Sequence, residues 1–293
     1  MTYQTIISAS QLQHLIKTQP SKVVIFDCSF DLADPDKGYT QFKDNRIAGA
    51  LYASLDTDLS AHDPVNAVNG GRHPLPRREI FAIWLSHMGV TNDTQVVVYD
   101  RQGVNFCGRL WWMLKWCGHA SVAVLDGGLK GWTDAHGALE SGEPTTAKSV
   151  ELNQAPSFQL SEPLVKMLSL DELKTELGSS SRPTLVDARA TLRYKGEVEP
   201  LDPVAGHIPG ALNRPFNFNL NSEGFFKSKE ELNAEFEALL HSASPHSVVH
   251  QCGSGVSAVP NLIAMVIAGY GYTSLYPGSW SEWSRQPDAP VEK

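Results

Sequence analysis

The sequence predicts an α/β protein made of two tandem domains of one design, each a mostly parallel sheet flanked by helices. Three observations carry this. The chain has 293 residues, about two domains in length. Short β-branched runs alternate with helix-like segments, the order that covers a parallel sheet on both faces. The second half also repeats landmarks of the first: Gly210 lies 161 residues after Gly49, and Trp283 lies 151 after Trp132.

Each copy opens on a capping-box pattern, Ser8 with Gln11 and Ser169 with Glu172, which starts a helix by satisfying two of its free N–H groups. A strand ending in aspartate follows, Val23-Val24-Ile25-Phe26-Asp27 and Thr184-Leu185-Val186-Asp187. Next come Arg46-Ile47-Ala48-Gly49-Ala50-Leu51 and His207-Ile208-Pro209-Gly210-Ala211-Leu212, each a turn leading into a strand. Val96-Val97-Val98-Tyr99-Asp100-Arg101 then answers to Val248-Val249-His250-Gln251-Cys252. Helical runs follow, one through Trp111-Trp112 and one from Val259 to Ala268, ending at Gly118-His119 and Gly269-Tyr270. Trp111, Trp112 and Trp116 cannot share one helix face, so one or two are expected in a core or interface. Each copy closes on an aromatic stretch, Leu125 to Trp132 and Tyr276 to Trp283. The offset falls from 161 to 151, so the first copy holds about ten extra residues between Gly49 and its Arg101 loop. An offset of 151 from Cys252 lands on Arg101, which puts an arginine in the first copy where the second has a thiol. Glu140 to Pro163 is poor in periodic hydrophobics and contains Pro144, Pro156 and Pro163, the composition of a linker. The expected organisation is a first domain over 1–141, a linker over 142–163 and a second domain over 164–293.

Composition narrows the function classes. The chain is 42% hydrophobic and 19% charged, with a net charge of −8, the profile of a soluble globular protein with a full core. Arg77-Arg78 is the densest basic pair, far short of a nucleic-acid footprint. The most apolar stretch, Leu262 to Ala268, is too short to span a bilayer. Met1-Thr2-Tyr3-Gln4 lacks the basic and apolar regions of a secretory signal. Cys28, Cys107, Cys117 and Cys252 show no CxxC spacing, and a reducing cytoplasm is the expected location. Ten histidines without ligand spacing argue against a metal, and no phosphate-loop signature or other cofactor motif occurs.

Cys252 carries the chemistry. A strand ends on it, the small-residue loop Gly253-Ser254-Gly255-Val256-Ser257 follows, and a helix comes next. That order turns loop N–H groups and the helix's positive end toward the sulfur, a setting that favours a thiolate and an anion placed on it. Gly253 and Gly255 let the backbone curl tightly. Ser254 shapes the loop, and Ser257 stands where a helix cap would stand. The other three cysteines read as core. Asp27 and Asp187 occupy equivalent places and read as fold-keeping, with Arg189 an ion-pair partner for Asp187.

These residues resemble the two-domain sulfurtransferases of the rhodanese-like family. The likeness rests on Gly206 to Ala211, the Cys252 loop in the second copy alone, and Gly278-Ser279-Trp280-Ser281-Glu282-Trp283. It implies two rhodanese-like domains, of which only the C-terminal one is catalytic. It implies that Cys252 takes a sulfane sulfur from a small donor as a persulfide and passes it to cyanide, a small thiol or a protein dithiol. Thiosulfate enzymes of the family carry basic residues just after the cysteine; here stand Gly253 and Ser254, as in the mercaptopyruvate branch. The resemblance carries over Arg193 as the grip on a donor carboxylate, Ser254 as the loop serine and His73 as its histidine partner. Two positions depart from that branch: Asp202 stands where a second arginine is expected, and Ser54 where an aspartate is, with Asp56 and Asp58 nearby. Thiosulfate remains the alternative donor, and a non-catalytic binding module the alternative class. Ala258 stands where the related Cys-x5-Arg phosphatases need arginine.

Overall fold

The computed structural model describes residues 2–144, 157–180 and 182–293. By internal contacts the chain forms two compact units. The first comprises Met1–Ala61, Pro76–Leu164 and Ser222–Phe225; the second comprises His62–Leu75, Val165–Asn221 and Phe226–Lys293.

In the first unit the strands are β1 (Ile6–Ile7), β2 (Val23–Asp27), β3 (Arg46–Ile47), β4 (Leu51–Tyr52), β5 (Gln95–Tyr99), β6 (Val122–Leu125) and β7 (Leu139–Glu140). Five of them form one sheet in the order β1-β6-β5-β2-β4, every pair parallel. β3 and β7 pair antiparallel beside it. The central strands β5 and β6 are buried along their whole length, as expected of strands covered on both faces. Its helices are α1 (Ala9–Thr18), α2 (Pro35–Asp44), α3 (Arg78–His87), α4 (Cys107–Trp116) and α5 (Gly128–Asp134). All ten residues of α4 are buried, so Trp111, Trp112 and Trp116 are all inside, together with Arg109 and Lys115. Lys115 Nζ donates to the Ala120 carbonyl at 2.6 Å, and burial lowers this amine to about 8.

The second unit repeats the plan. β8 (Thr184–Asp187), β9 (Leu212–Asn213), β10 (Val248–Gln251) and β11 (Ser274–Leu275) form a parallel sheet in the order β11-β10-β8-β9. A parallel bridge from Met167 to Leu275 takes the place of β1, and an antiparallel bridge from His207 to Glu292 takes the place of the β3–β7 pair. The helices are α6 (Leu170–Leu177), α7 (Thr191–Tyr194), α8 (Lys229–Leu240), α9 (Val259–Ala268) and α10 (Ser279–Trp283).

Both predicted capping boxes form: Ser8 with Gln11 at α1, and Ser169 with Glu172 at α6. A third, Ser228 with Glu231, starts α8.

The domain limits differ from the expected continuous stretches. Of the expected linker, residues 145–156 lie outside the described ones. Residues 157–163 belong to the first unit: Phe158 is buried, its N–H donates to Ser86 Oγ at 3.0 Å, and Ser161 N–H donates to the Cys117 carbonyl at 3.2 Å. Segment 62–75, expected in the first domain, belongs to the second unit. Gly70 N–H donates to Glu282 Oε1 at 2.6 Å and Arg72 N–H to Ser281 Oγ at 2.9 Å. The segment lies inside the stretch where the first copy is longer than the second.

The capping serines are single-residue anchors. Ser169→Ala and Ser228→Ala are each expected to lower stability by about 1 kcal/mol, additively because the helices are separate. Urea unfolding of the two single variants and the double variant measures this; a change under about 0.3 kcal/mol in either single would show that the cap is not holding its helix.

Candidate active site

Cys252 follows the last residue of β10, an inner strand of the second sheet, and is fully buried. The strand's register fixes its position: Gln251 pairs with Asp187, and Ala188 N–H donates to the Gln251 carbonyl at 2.9 Å. Cys252 N–H donates to Ser279 Oγ at 3.1 Å, and that hydroxyl donates to the Tyr276 carbonyl at 2.9 Å. The Cys252 carbonyl accepts from Trp280 N–H at 3.0 Å, and the Gly253 carbonyl from Ser281 N–H at 2.8 Å. The loop is thus tied to the start of α10 on both sides of the thiol. Gly255 has φ +72°, and a Cβ there would stand 2.2 Å from the Pro277 carbonyl oxygen, so only glycine fits. Ser257 is not the helix cap: Ala258 holds that position, without a side-chain cap bond. The first N–H of α9, from Val259, donates to the Val256 carbonyl at 3.1 Å.

The same loop in the first unit shows what its shape attracts. There Tyr99 pairs with Asp27 and accepts from Cys28 N–H at 2.8 Å, the counterpart of Gln251 with Asp187 and Ala188. Gly103 and Gly255 take the same left-handed turn, at φ +70° and +72°. Asp100, not Arg101, therefore stands in the place of Cys252. The offset at the loop is 152, and the first unit has one more residue between the loop and its terminal tryptophan, which is why counting back from the tryptophans gave Arg101. The Asp100 carboxylate accepts four backbone N–H groups, from Gln102, Val104, Phe106 and Cys107, at 2.8–3.0 Å. The corresponding residues of the second unit are Ser254, Val256, Ala258 and Val259. Among the described residues, the N–H groups of Ser254, Val256 and Ala258 have no protein acceptor.

Arg101 matches Gly253. Its guanidinium is bound by Asp27 Oδ2 at 2.8 Å, by Ser29 Oγ and by the Gln41 and Asn45 carbonyls. At Gly253 no side chain stands, and the nearest groups on that side are two guanidiniums: Arg72 Nη2, 3.1 Å from where a Cβ would be, and Arg193 Nη1, 3.5 Å away. Arg193, from α7, donates to Glu199 Oε1 at 2.6 Å and to Asp202 Oδ2 at 3.2 Å. Arg72 donates to Asp202 Oδ1 at 2.8 Å. His73, next to Arg72, is buried with Nδ1 2.8 Å from Ser254 Oγ. The predicted set of Cys252, Gly253, Ser254, Arg193 and His73 is thus brought together within one unit, and Arg72 and Asp202 join it.

Other candidates resolve differently. Arg189 chelates Asp187, with Nη2 2.7 Å from Oδ2, and its guanidinium lies 4.8 Å from the Trp280 ring centroid. Asp187 Oδ1 also accepts Arg189 N–H, as Asp27 Oδ1 accepts Ser29 N–H, so both aspartates pin the turn after their strand. Asp58 Oδ2 accepts Ser54 N–H at 2.8 Å within the first unit. Burial drives the Cys28 and Cys107 thiols well up and Cys117 up to about 12, so none is a ready nucleophile. His250 is also no base: burial lowers it to about 3, and its Nε2 lies 3.2 Å from Met265 Sδ. Among the described residues, no cluster of three or more His, Cys, Asp or Glu is placed to hold a metal, and no helix is long and apolar enough to cross a membrane.

Comparison with known proteins agrees with the two repeated units. The model of the rhodanese-like domain matches residues 8–135 and again 169–286. The chain belongs to the rhodanese-like family, with two copies of its domain. Among its relatives, a Pseudomonas aeruginosa protein named a probable 3-mercaptopyruvate sulfurtransferase is 41% identical over 99% of both chains. Mouse thiosulfate sulfurtransferase is 32% identical, over 99% of this chain and 94% of its own. A crystal structure from Escherichia coli, described as a 3-mercaptopyruvate sulfotransferase, is similar with a TM-score of 0.75 and 29% identity, over 96% of this chain and 100% of that one.

Two consequences are measurable. Gly255→Ala is expected to destabilise the protein by about 2 kcal/mol or more, since a left-handed backbone and a backbone clash add; an unchanged urea midpoint would show that the loop yields freely. His250 is neutral when folded, while an unfolded histidine takes up a proton below about pH 6.5. Stability is therefore present above that pH and is lost as pH falls toward 3, by about 1.4 kcal/mol per pH unit for one proton. In His250→Leu, the slope of unfolding free energy between pH 6 and 4 is expected to be shallower by about one proton. An unchanged slope would assign the acid sensitivity to other groups.

Proposed function

We propose that this chain is a sulfurtransferase which moves a sulfane sulfur from a small anionic donor, 3-mercaptopyruvate first, through a Cys252 persulfide to a thiophilic acceptor. The observation that carries this reading is the Asp100 carboxylate. In the first unit four backbone N–H groups close around an anion at the position that Cys252 holds in the second. The second unit offers the same turn with a thiol at its centre and with Ser254, Val256 and Ala258 N–H groups unused by the protein. A thiolate, and then the anionic outer sulfur of a persulfide, supplies the missing acceptor.

The reaction balances without a cofactor. The Cys252 thiolate attacks the donor sulfur and forms an S–S bond. The donor C–S bond breaks, and its electron pair leaves as the enolate of pyruvate. The donor's thiol proton ends on that carbon, giving pyruvate and an ionised persulfide. The hydrogen bond between His73 and Ser254 at the loop supports assigning this pair the passage of that proton. An acceptor nucleophile then attacks the outer sulfur, the S–S bond breaks, and the Cys252 thiolate returns. Cyanide leaves as thiocyanate, and a thiol leaves as its own persulfide. Covalent storage divides one transfer into two easier ones.

Arg193 suits a donor carboxylate, whose two oxygens a planar guanidinium can bind together. Thiosulfate is the second reading, supported by the relatives named for it and by the absence of any side chain at Gly253 to exclude a dianion. A purely binding role fits less well, since the thiol and an unfilled loop are both retained. We place the chain in the cytoplasm, where a reducing environment keeps such a thiol free.

Intact-mass measurement after donor treatment tests the proposal. The protein is expected to gain the mass of one sulfur atom, which cyanide removes, and Cys252→Ser is expected to fold normally and gain none. Sulfur uptake by Cys252→Ser, or none by the parent protein with either donor, would overturn the reading.

A further inference from the structure

Ser279 stands in a backbone conformation that a side chain disfavours. Its φ is +53°, in the left-handed region, and it is fully buried. Among the described residues three other non-glycines share that region, Val104, His136 and His241; Val104 is buried but apolar, and both histidines are exposed. The first unit shows what the position ordinarily holds. The Asp100 carbonyl accepts Leu129 N–H at 3.4 Å as the Cys252 carbonyl accepts Trp280 N–H at 3.0 Å, so Gly128 is the counterpart of Ser279. Gly128 takes φ +55°, and a Cβ there would lie 2.5 Å from the Asp100 carbonyl oxygen. The unit with an aspartate in its loop thus carries glycine at this turn, and the unit with the thiol carries a hydroxyl.

That hydroxyl has a fixed polarity. Its proton goes to the Tyr276 carbonyl at 2.9 Å, so its lone pair faces the Cys252 N–H, 3.1 Å away. This amide lies one residue past the end of β10 and cannot reach its own sulfur at an angle a hydrogen bond tolerates. Without the hydroxyl it is a buried donor with nowhere to go. The peptide unit before the thiol is therefore pinned at both ends, since the Gln251 carbonyl accepts Ala188 N–H at 2.9 Å, and Trp280 N–H holds the peptide unit after it. We propose that Ser279 is a positioning residue for the Cys252 sulfur, and that the fold tolerates a left-handed serine because this hydroxyl holds the Cys252 amide. The proposal rests on the sulfur-transfer reading above and deepens it. With both flanking peptides fixed, the direction of the sulfur is set by rotation about the Cys252 Cα–Cβ bond alone. Ser279 acts through that backbone and not on the reacting atoms. The donor-binding groups are untouched, so the effect falls on the rate of sulfur capture rather than on donor affinity.

The test compares Ser279→Gly and Ser279→Ala with the parent protein. Persulfide formation on Cys252 from 3-mercaptopyruvate is followed in a single turnover by intact mass, and stability by urea unfolding. Both substitutions remove the hydroxyl, and only glycine also relieves the backbone. Persulfide formation at saturating donor is expected to slow about tenfold or more in both variants, and the half-saturating donor concentration to move less than about threefold. The urea midpoint of Ser279→Gly is expected to lie above that of Ser279→Ala. A merely structural serine would let activity follow stability, so a parent rate in Ser279→Gly would overturn the proposal. A loss confined to the half-saturating concentration would overturn it as well. A midpoint for Ser279→Ala at or above that of Ser279→Gly would remove the strain from which the proposal starts. If Ser279→Ala fails to fold where Ser279→Gly folds, the strain is confirmed and the rate of Ser279→Gly decides alone. Failure of the parent protein to form a Cys252 persulfide would instead remove the sulfur-transfer reading itself.

Discussion

A chain that leaves a parallel strand, turns on a left-handed glycine and enters a helix has several N–H groups with nowhere to donate. In a buried setting these must find an acceptor or destabilise the fold. Both halves of this protein face that constraint, and each answers it differently. The first half supplies a permanent acceptor, the Asp100 carboxylate. The second half sets a thiol at the same place and leaves the donors for whatever negative charge the sulfur carries. The rest of the site follows: Gly253 keeps the approach free of its own side chain, Ser279 fixes the Cys252 amide, and Gly255 allows the turn to pass beneath Pro277.

A chain of charges runs around this loop. Asp187 holds Arg189, Arg189 lies 3.4 Å from Glu199, Glu199 holds Arg193, and Asp202 joins Arg193 to Arg72. Its three carboxylates are almost wholly buried, which is tolerable only because each has a guanidinium partner. Removing Arg189 would leave Asp187 without a guanidinium, and removing Asp202 would leave Arg72 without a carboxylate, whereas Glu199 and Arg193 have neighbours that keep a second partner. The arrangement holds the Arg72 and Arg193 side chains still, with Arg72 Nη2 and Arg193 Nη1 facing Gly253.

Much of this was readable before folding. The strands Val23–Asp27, Thr184–Asp187 and Val248–Gln251 and the helix Val259–Ala268 lie where their β-branched and apolar runs placed them. The Cys252 loop was legible because glycine and small residues between a strand and a helix leave few other conformations. The register of the repeat was misjudged by one residue: counting from the terminal tryptophans crossed a connection of unequal length, whereas Gly103 and Gly255 sit on the turn itself. Asp202 read as a lost arginine because a linear pattern compares like with like at one position. That Arg72, 130 residues away, brings a guanidinium to the same carboxylate depends on the path of segment 62–75, which no local spacing encodes. The Gly70-Gly71 pair ahead of Arg72 was the available sign of a backbone in close contact.

The exchange of a thiol for Asp100 has a consequence for how the two halves age and rest. The first half is a permanently neutralised copy, complete from the moment it folds. The second is complete only while its sulfur bears charge. In the proposed reaction the thiolate and the persulfide both fill that place, so the turn is expected to stay equally rigid through loading and emptying, and neither step has to wait for the loop to rearrange.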